Sequence, residues 1–240
     1  MKIAVFFSGR ITAWQMCRES LWHKFMKLYD VDVFLSLDMS TPNKDVAEFK
    51  TEYNVVGEYY EKYNKTLKQN PPFRTEETTE RKTLSMFYHN FMAMNLIIDH
   101  MRKTNKTYDV VVKFRADVAC NDLLIIPQHI MPNTLFIPNG SNYRGINDQI
   151  AFGSMFPMTV YCSLYNHIPK YVYIDQAIFN PEFLLMFHIN NNNLNIMRFQ
   201  YRYTLHPARF DNKNENNSGG DYSPVLGRIP IEEVSKQEIN

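Results

Sequence analysis

Apolar and polar positions along the chain switch repeatedly between two periods, and the switches divide it into strands and helices. Short, largely apolar runs at Ile3–Phe7, Val31–Leu37, Val110–Val112 and Thr134–Pro138 have the length and β-branched content of buried strands. Two shorter strands are expected at Asn54–Glu58 and Ile150–Phe152, and strict alternation predicts another over Ile196–Leu205, ended by His206-Pro207. Helical spacing occupies the intervals. In Thr12–Tyr29, residues Trp14, Cys17, Leu21, Phe25 and Leu28 form one apolar face, widened by Trp22 and Met26. Lys44–Tyr53 fits a short helix. Leu84, Phe87, Phe91, Met94, Ile97, Ile98 and Met101 mark a strong one over Thr83–Lys103. Met155–Tyr165 and Asp175–Ile189 complete the set, with Pro181-Glu182 suited to a first helical turn.

Strands and helices in alternation predict an α/β fold: one Rossmann-like domain with a mostly parallel central sheet flanked by helices. The domain is expected over residues 1–210. A polar segment, DNKNENNSGGD, opens a loop and C-terminal tail over 211–240. Between Tyr59 and Glu80, Asn70-Pro71-Pro72 breaks the chain, and this segment reads as a surface loop or a lid.

Open α/β sheets bind ligands beyond the carboxyl ends of their strands, which directs attention to the residues there. Ser8-Gly9-Arg10 follows the first strand: glycine lets backbone approach a ligand, and arginine can meet a phosphate. The motif lacks the further glycines of a dinucleotide fingerprint and the ending of a P-loop, and by itself it fits a plain β–α turn. Arg115 and Asp117 follow the central strand. Asp117 can ligate a metal or accept hydrogen bonds from a sugar; an ordinary paired strand end explains both residues equally well. Asn147, Asp148 and Gln149 stand at the start of the Ile150 strand, where they can read a hydroxylated ligand or form a cap-and-turn cluster.

Composition narrows the classes. A formal net charge of +1 over 240 residues, with no dense Lys/Arg stripe, gives no pull toward nucleic acid. The 3 cysteines, Cys17, Cys120 and Cys162, are widely spaced and form no Cys-x-x-Cys pair. That argues against a disulfide framework and a structural zinc site, and for a reducing, cytoplasmic setting. No run of about 18 apolar residues occurs, so no transmembrane segment is expected; the pattern leaves peripheral membrane contact open.

Four pieces occur in a fixed order: Ser8-Gly9-Arg10 after the first strand, the strand Val31-Asp32-Val33-Phe34, Arg115-x-Asp117, and Asn147-Asp148-Gln149-x-x-x-Gly153. As an ordered set, over roughly Lys2–Leu185, they resemble the small glycosyltransferases related to the WavE lipopolysaccharide-synthesis proteins and similar sugar transferases of large DNA viruses. The resemblance implies a GT-A-like fold and an enzyme that moves a sugar from a nucleotide-diphosphate donor to a glycan or protein-linked glycan acceptor. It implies that Ser8, Gly9 and Arg10 lie beside the nucleotide, and that Asn147, Asp148 and Gln149 face the sugar and acceptor. Arg115 and Asp117 take the place of the family's Asp-x-Asp motif, departing from it because position 115 is arginine. Mn²⁺ or Mg²⁺ held by Asp117, with His206 as a second ligand, is one consequence; Arg115 neutralising the diphosphate without a metal is the other. Asp148 is the expected base of an inverting reaction, Glu182 the second candidate and Asp122 the third. A catalytically silent sugar- or nucleotide-binding module and a protein-interaction protein with a tyrosine-rich surface are the alternatives.

Overall fold

Val110, Val111 and Val112 have no exposed surface, and the strand they build is the middle one of seven. The structure is a computed structural model that describes residues 1–11, 13–61 and 78–206, the side chains of 78–80 excepted. The expected tail and, for residues 62–77, the expected lid lie outside the described residues.

The order of elements is β1 (Lys2–Gly9), α1 (Trp14–Lys24), β2 (Asp30–Asp38), α2 (Asn43–Glu52), β3 (Val55–Glu61), α3 (Thr78–Thr104), β4 (Val110–Phe114), β5 (Val118–Cys120), β6 (Thr134–Pro138), β7 (Ile150–Gly153), α4 (Met155–Tyr173), α5 (Pro181–Asn191), β8 (Asn195–Phe199) and β9 (Tyr203–Leu205). The main sheet runs β3-β2-β1-β4-β7-β6-β8, and β5 and β9 form a second, two-stranded sheet. All neighbours in the main sheet are parallel except around β7, which is antiparallel to both β4 and β6. The protein is thus a mixed α/β, Rossmann-like domain with a mostly parallel central sheet flanked by helices.

Strand periodicity divides the core. Ala4, Phe6 and Val111 point to the layer that holds α3, α4 and α5, while Ile3, Val5, Phe7, Val110 and Val112 point to the layer of α1 and α2. Complete burial of each valine, isoleucine or phenylalanine among them contributes roughly 1.5–3 kcal/mol, which keeps the strand ends in place as a rigid platform.

Several boundaries differ from the sequence reading. α3 begins at Thr78 rather than Thr83, because its first turns, Arg81 and Lys82 among them, are polar and carry no apolar period. α4 continues through Pro169 to Tyr173. α1 stops at Lys24 and gives way to a 3₁₀ turn, Met26–Leu28, so Trp22 and Leu28 face solvent rather than the apolar face expected of them. The single strand expected over Ile196–Leu205 is two strands in two sheets. Arg202, between them, donates from its backbone and guanidinium to Asp122, which turns the chain away from the main sheet.

Candidate functional site

β1, β2 and β3 step outward in one direction, while β4 lies on the other side of β1. Crevices form at such reversals, outside the carboxyl ends of the two strands. A cleft of about 790 Å³ opens there, within the usual range for small-molecule sites of roughly 300–1,000 Å³.

Gly9 ends β1 with φ +84°, a left-handed conformation that glycine adopts without penalty. The turn brings Ser8, Gly9 and Arg10 into the cleft wall. Ser8 Oγ donates to Asn90 Oδ1 on α3 at 2.6 Å, which fixes its hydroxyl. At the end of β4, Arg115 and Asp117 also line the cleft. They hold each other: Nε donates to Oδ1 at 2.9 Å and Nη2 to Oδ2 at 2.7 Å, a two-point fork on a buried carboxylate.

β7 runs against β4, with Ile150 opposite Phe114, so the start of β7 meets the end of β4 at one edge. This reversal brings Asp148 to the cleft. Lys113, on β4, donates to the Asp148 carbonyl, and the Tyr161 hydroxyl donates to the same oxygen at 3.4 Å. Lys113 lines the cleft although only 1% exposed, and burial brings its ammonium down to about 8.

Glu182 sits in the first turn of α5, next to Pro181 of the cleft lining. Asn180 caps that turn by accepting from Phe183 N–H at 2.8 Å. Ile146 N–H donates to the Glu182 carbonyl at 3.2 Å. The approach is close enough that a Cβ on Gly145 would fall 2.0 Å from that carbonyl oxygen, so only glycine fits at 145. Burial, and then the negative charge of Asp148, push the Glu182 carboxyl up to about 7. A carboxyl raised this far is poised to exchange a proton near neutral pH.

Three expected site residues lie elsewhere or are engaged otherwise. Asn147 is turned away from the cleft lining: its amide donates to Gly140 O at 3.0 Å and to Tyr203 Oη at 2.7 Å, and its Oδ1 accepts from Gln149 N–H at 2.8 Å. Its role is to brace the loop that carries Asp148. Gln149 is buried behind that loop and, among the described residues, has no partner for Oε1 and no share in the cleft lining. Asp122 pairs with Arg202 beside the two-stranded sheet, away from the cleft lining.

The sequence reading missed Lys113, Arg81 and Lys82, all of which line the cleft. Lys113 left a signal, since a lysine inside a strand buried on both faces is itself anomalous. Arg81 and Lys82 left none, because two cations at the start of a helix are ordinary.

His206 donates its backbone N–H to the Asp117 carbonyl at 2.8 Å, so the two residues expected to share a metal are neighbours. The donor set does not fit that metal, however. Both Asp117 oxygens accept from Arg115, and among the described residues no group of three or more His, Cys, Asp or Glu could hold an ion. Magnesium and manganese sites need several oxygen ligands free at once.

Among the described residues no helix is long and apolar enough to cross a membrane. No curated protein matches the chain. Residues 1–209 match the family described as a domain of unknown function (DUF7796), and the chain belongs to that family.

Proposed function

We propose that the protein is a glycosyltransferase that takes a sugar from a nucleotide-diphosphate donor and transfers it to a glycan or protein-linked glycan. One observation carries the reading: a single cleft at the β1/β4 reversal gathers a cationic wall and the Asp148 carboxylate, with Glu182 coupled to it. Transfer of a glycosyl group needs both kinds of charge. Negative charge develops on the departing diphosphate and must be stabilised, and a base must take the acceptor's proton.

In this scheme the acceptor hydroxyl oxygen attacks the anomeric carbon as the bond from that carbon to the diphosphate oxygen breaks. The hydroxyl proton passes to Asp148, and the electron pair of the broken bond leaves on the diphosphate. Arg10, Arg81 and Lys82, exposed on the cleft wall, balance that charge. Arg115 and Asp117, locked together, act as a fixed dipole beside it. Glu182, its carboxyl raised to about 7, in its protonated form donates a hydrogen bond toward the reacting sugar. No step is assigned to a metal, because Asp117 would first have to release Arg115.

The test is donor hydrolysis and transfer by the purified chain across a panel of nucleotide-sugars, with Asp117→Ala and Asp148→Ala alongside. Transfer that falls at least 100-fold in Asp148→Ala supports the base. Tight donor binding without turnover in the wild type would instead identify a binding module. Activity that disappears with EDTA and returns with manganese would restore the metal and take charge neutralisation away from the cationic wall.

A further inference from the structure

We propose that the cleft is built for a donor whose sugar is uncharged, and that Lys113 and Asp148 together grip two hydroxyls of that sugar. The inference rests on the reading of the cleft as a nucleotide-sugar site and specifies what the sugar must be.

Among the described residues, the charges lining the cleft fall into two groups. The exposed wall carries Arg10, Arg81 and Lys82 against one carboxylate, Asp38, a surplus of two positive charges. A diphosphate diester brings two negative charges, so wall and diphosphate cancel. The floor carries Lys113 and Arg115 against Asp117 and Asp148, all poorly exposed, with no surplus. A carboxylate on the sugar would enter a balanced, largely dry compartment as an uncompensated charge, which is strongly unfavourable. An uncharged sugar meets no such barrier.

Lys113 has the chemistry to hold it. An ammonium carries three N–H donors. Among the described residues Nζ has one acceptor, the Asp148 carbonyl, although the side chain is 1% exposed. Two donors are left at the cleft floor. The adjacent Asp148 carboxylate only accepts. A donor and an acceptor side by side match neighbouring hydroxyls, each of which both gives and takes a hydrogen bond. Burying a lysine in the central strand is costly, and its one bond, to the Asp148 carbonyl, offsets only part of that cost. A hydroxylated ligand that satisfies its open donors accounts for its presence.

The closing experiment is calorimetric titration of the full chain with UDP, UDP-glucose and UDP-glucuronate, and with GDP and GDP-mannose. For whichever nucleotide binds, the hexose conjugate should bind at least tenfold more tightly than the bare diphosphate, and the uronate more weakly than the hexose. In Lys113→Met the bare diphosphate should keep its affinity within twofold, while the tenfold advantage of the hexose falls below threefold. Asp148→Asn should lose the same advantage, which guards against a folding defect in the lysine variant; melting curves accompany both. Equal weakening of bare and conjugated nucleotide in Lys113→Met would overturn the inference and make Lys113 a diphosphate ligand. So would tighter binding of the uronate. Failure of every nucleotide to bind the wild type would overturn the proposed function together with this inference.

Discussion

The two edges of the central sheet use the same residue types to opposite ends. At the amino edge, Asp32 is 3% exposed and surrounded by partners. It accepts from Tyr108 Oη at 2.8 Å, Asn54 Nδ2 at 3.1 Å and Lys106 Nζ at 3.3 Å, with Lys2 Nζ at 3.7 Å. Lys2 N–H also donates to Asp109 at 2.7 Å, tying β1 to the start of β4. At the carboxyl edge, Lys113 is as deeply buried and has one acceptor among the described residues, and burial together with the charge of Asp148 raises the Glu182 carboxyl to about 7. The amino edge closes its polar groups on one another. The carboxyl edge leaves donors open and charges poised, at a cost in stability that packing elsewhere must offset. Within one sheet, the contrast separates charge that the fold satisfies from charge that it leaves open.

Substitutions sharpen that contrast, beginning with the largest effect. Asp148→Asn should lower transfer by roughly 100- to 10,000-fold, the usual range for a lost base, with the melting temperature nearly unchanged; steady-state kinetics and a thermal melt together check it. Asp32→Ala should do the reverse. Removing the acceptor strands buried donors and two lysines, for a loss of about 3 kcal/mol in chemical denaturation, while donor affinity at the other edge stays put.

Glu182→Gln tests the poised carboxyl by pH. A carboxyl raised to about 7 in the folded protein, above its ordinary 4.5, favours folding at low pH, and that contribution is lost as pH rises through 7. The glutamine variant should therefore match the wild type at pH 4 and be more stable at pH 8 by about 1–2 kcal/mol, allowing for solvent screening. Equal stability at both pH values would show that Glu182 ionises freely. Asp122→Asn marks the small end: its partner Arg202 is exposed and neither lines the cleft, so transfer should change less than twofold.

Legibility followed the same division. Buried runs such as Ile3–Phe7 and Val110–Val112 announced their strands, and Phe87, Met94 and Ile97 announced α3, because burial imposes a local period on sequence. Ser8, Gly9, Arg10, Arg115 and Asp117 were found by the rule that ligands gather beyond strand ends, Asp148 as a carboxylate at the start of a strand, and all six line one cleft. Asn147 was read as ligand-facing because an amide beside a carboxylate looks the same in sequence whether it meets a sugar or braces its own loop. The break at Arg202 escaped notice because alternation continues through it.

By itself, then, the sequence determined the α/β character, the run of buried strands and the polar groups that follow them, all of which depend on neighbours a few residues apart. Only the tertiary structure decided that β7 runs backwards, carrying Asp148 to the end of β4, that α5 brings Glu182 under the influence of its charge, and that Lys113 reaches the Asp148 carbonyl. Those outcomes rest on distances between segments tens of residues apart and on how much water each group keeps, and neither quantity is written in any local pattern.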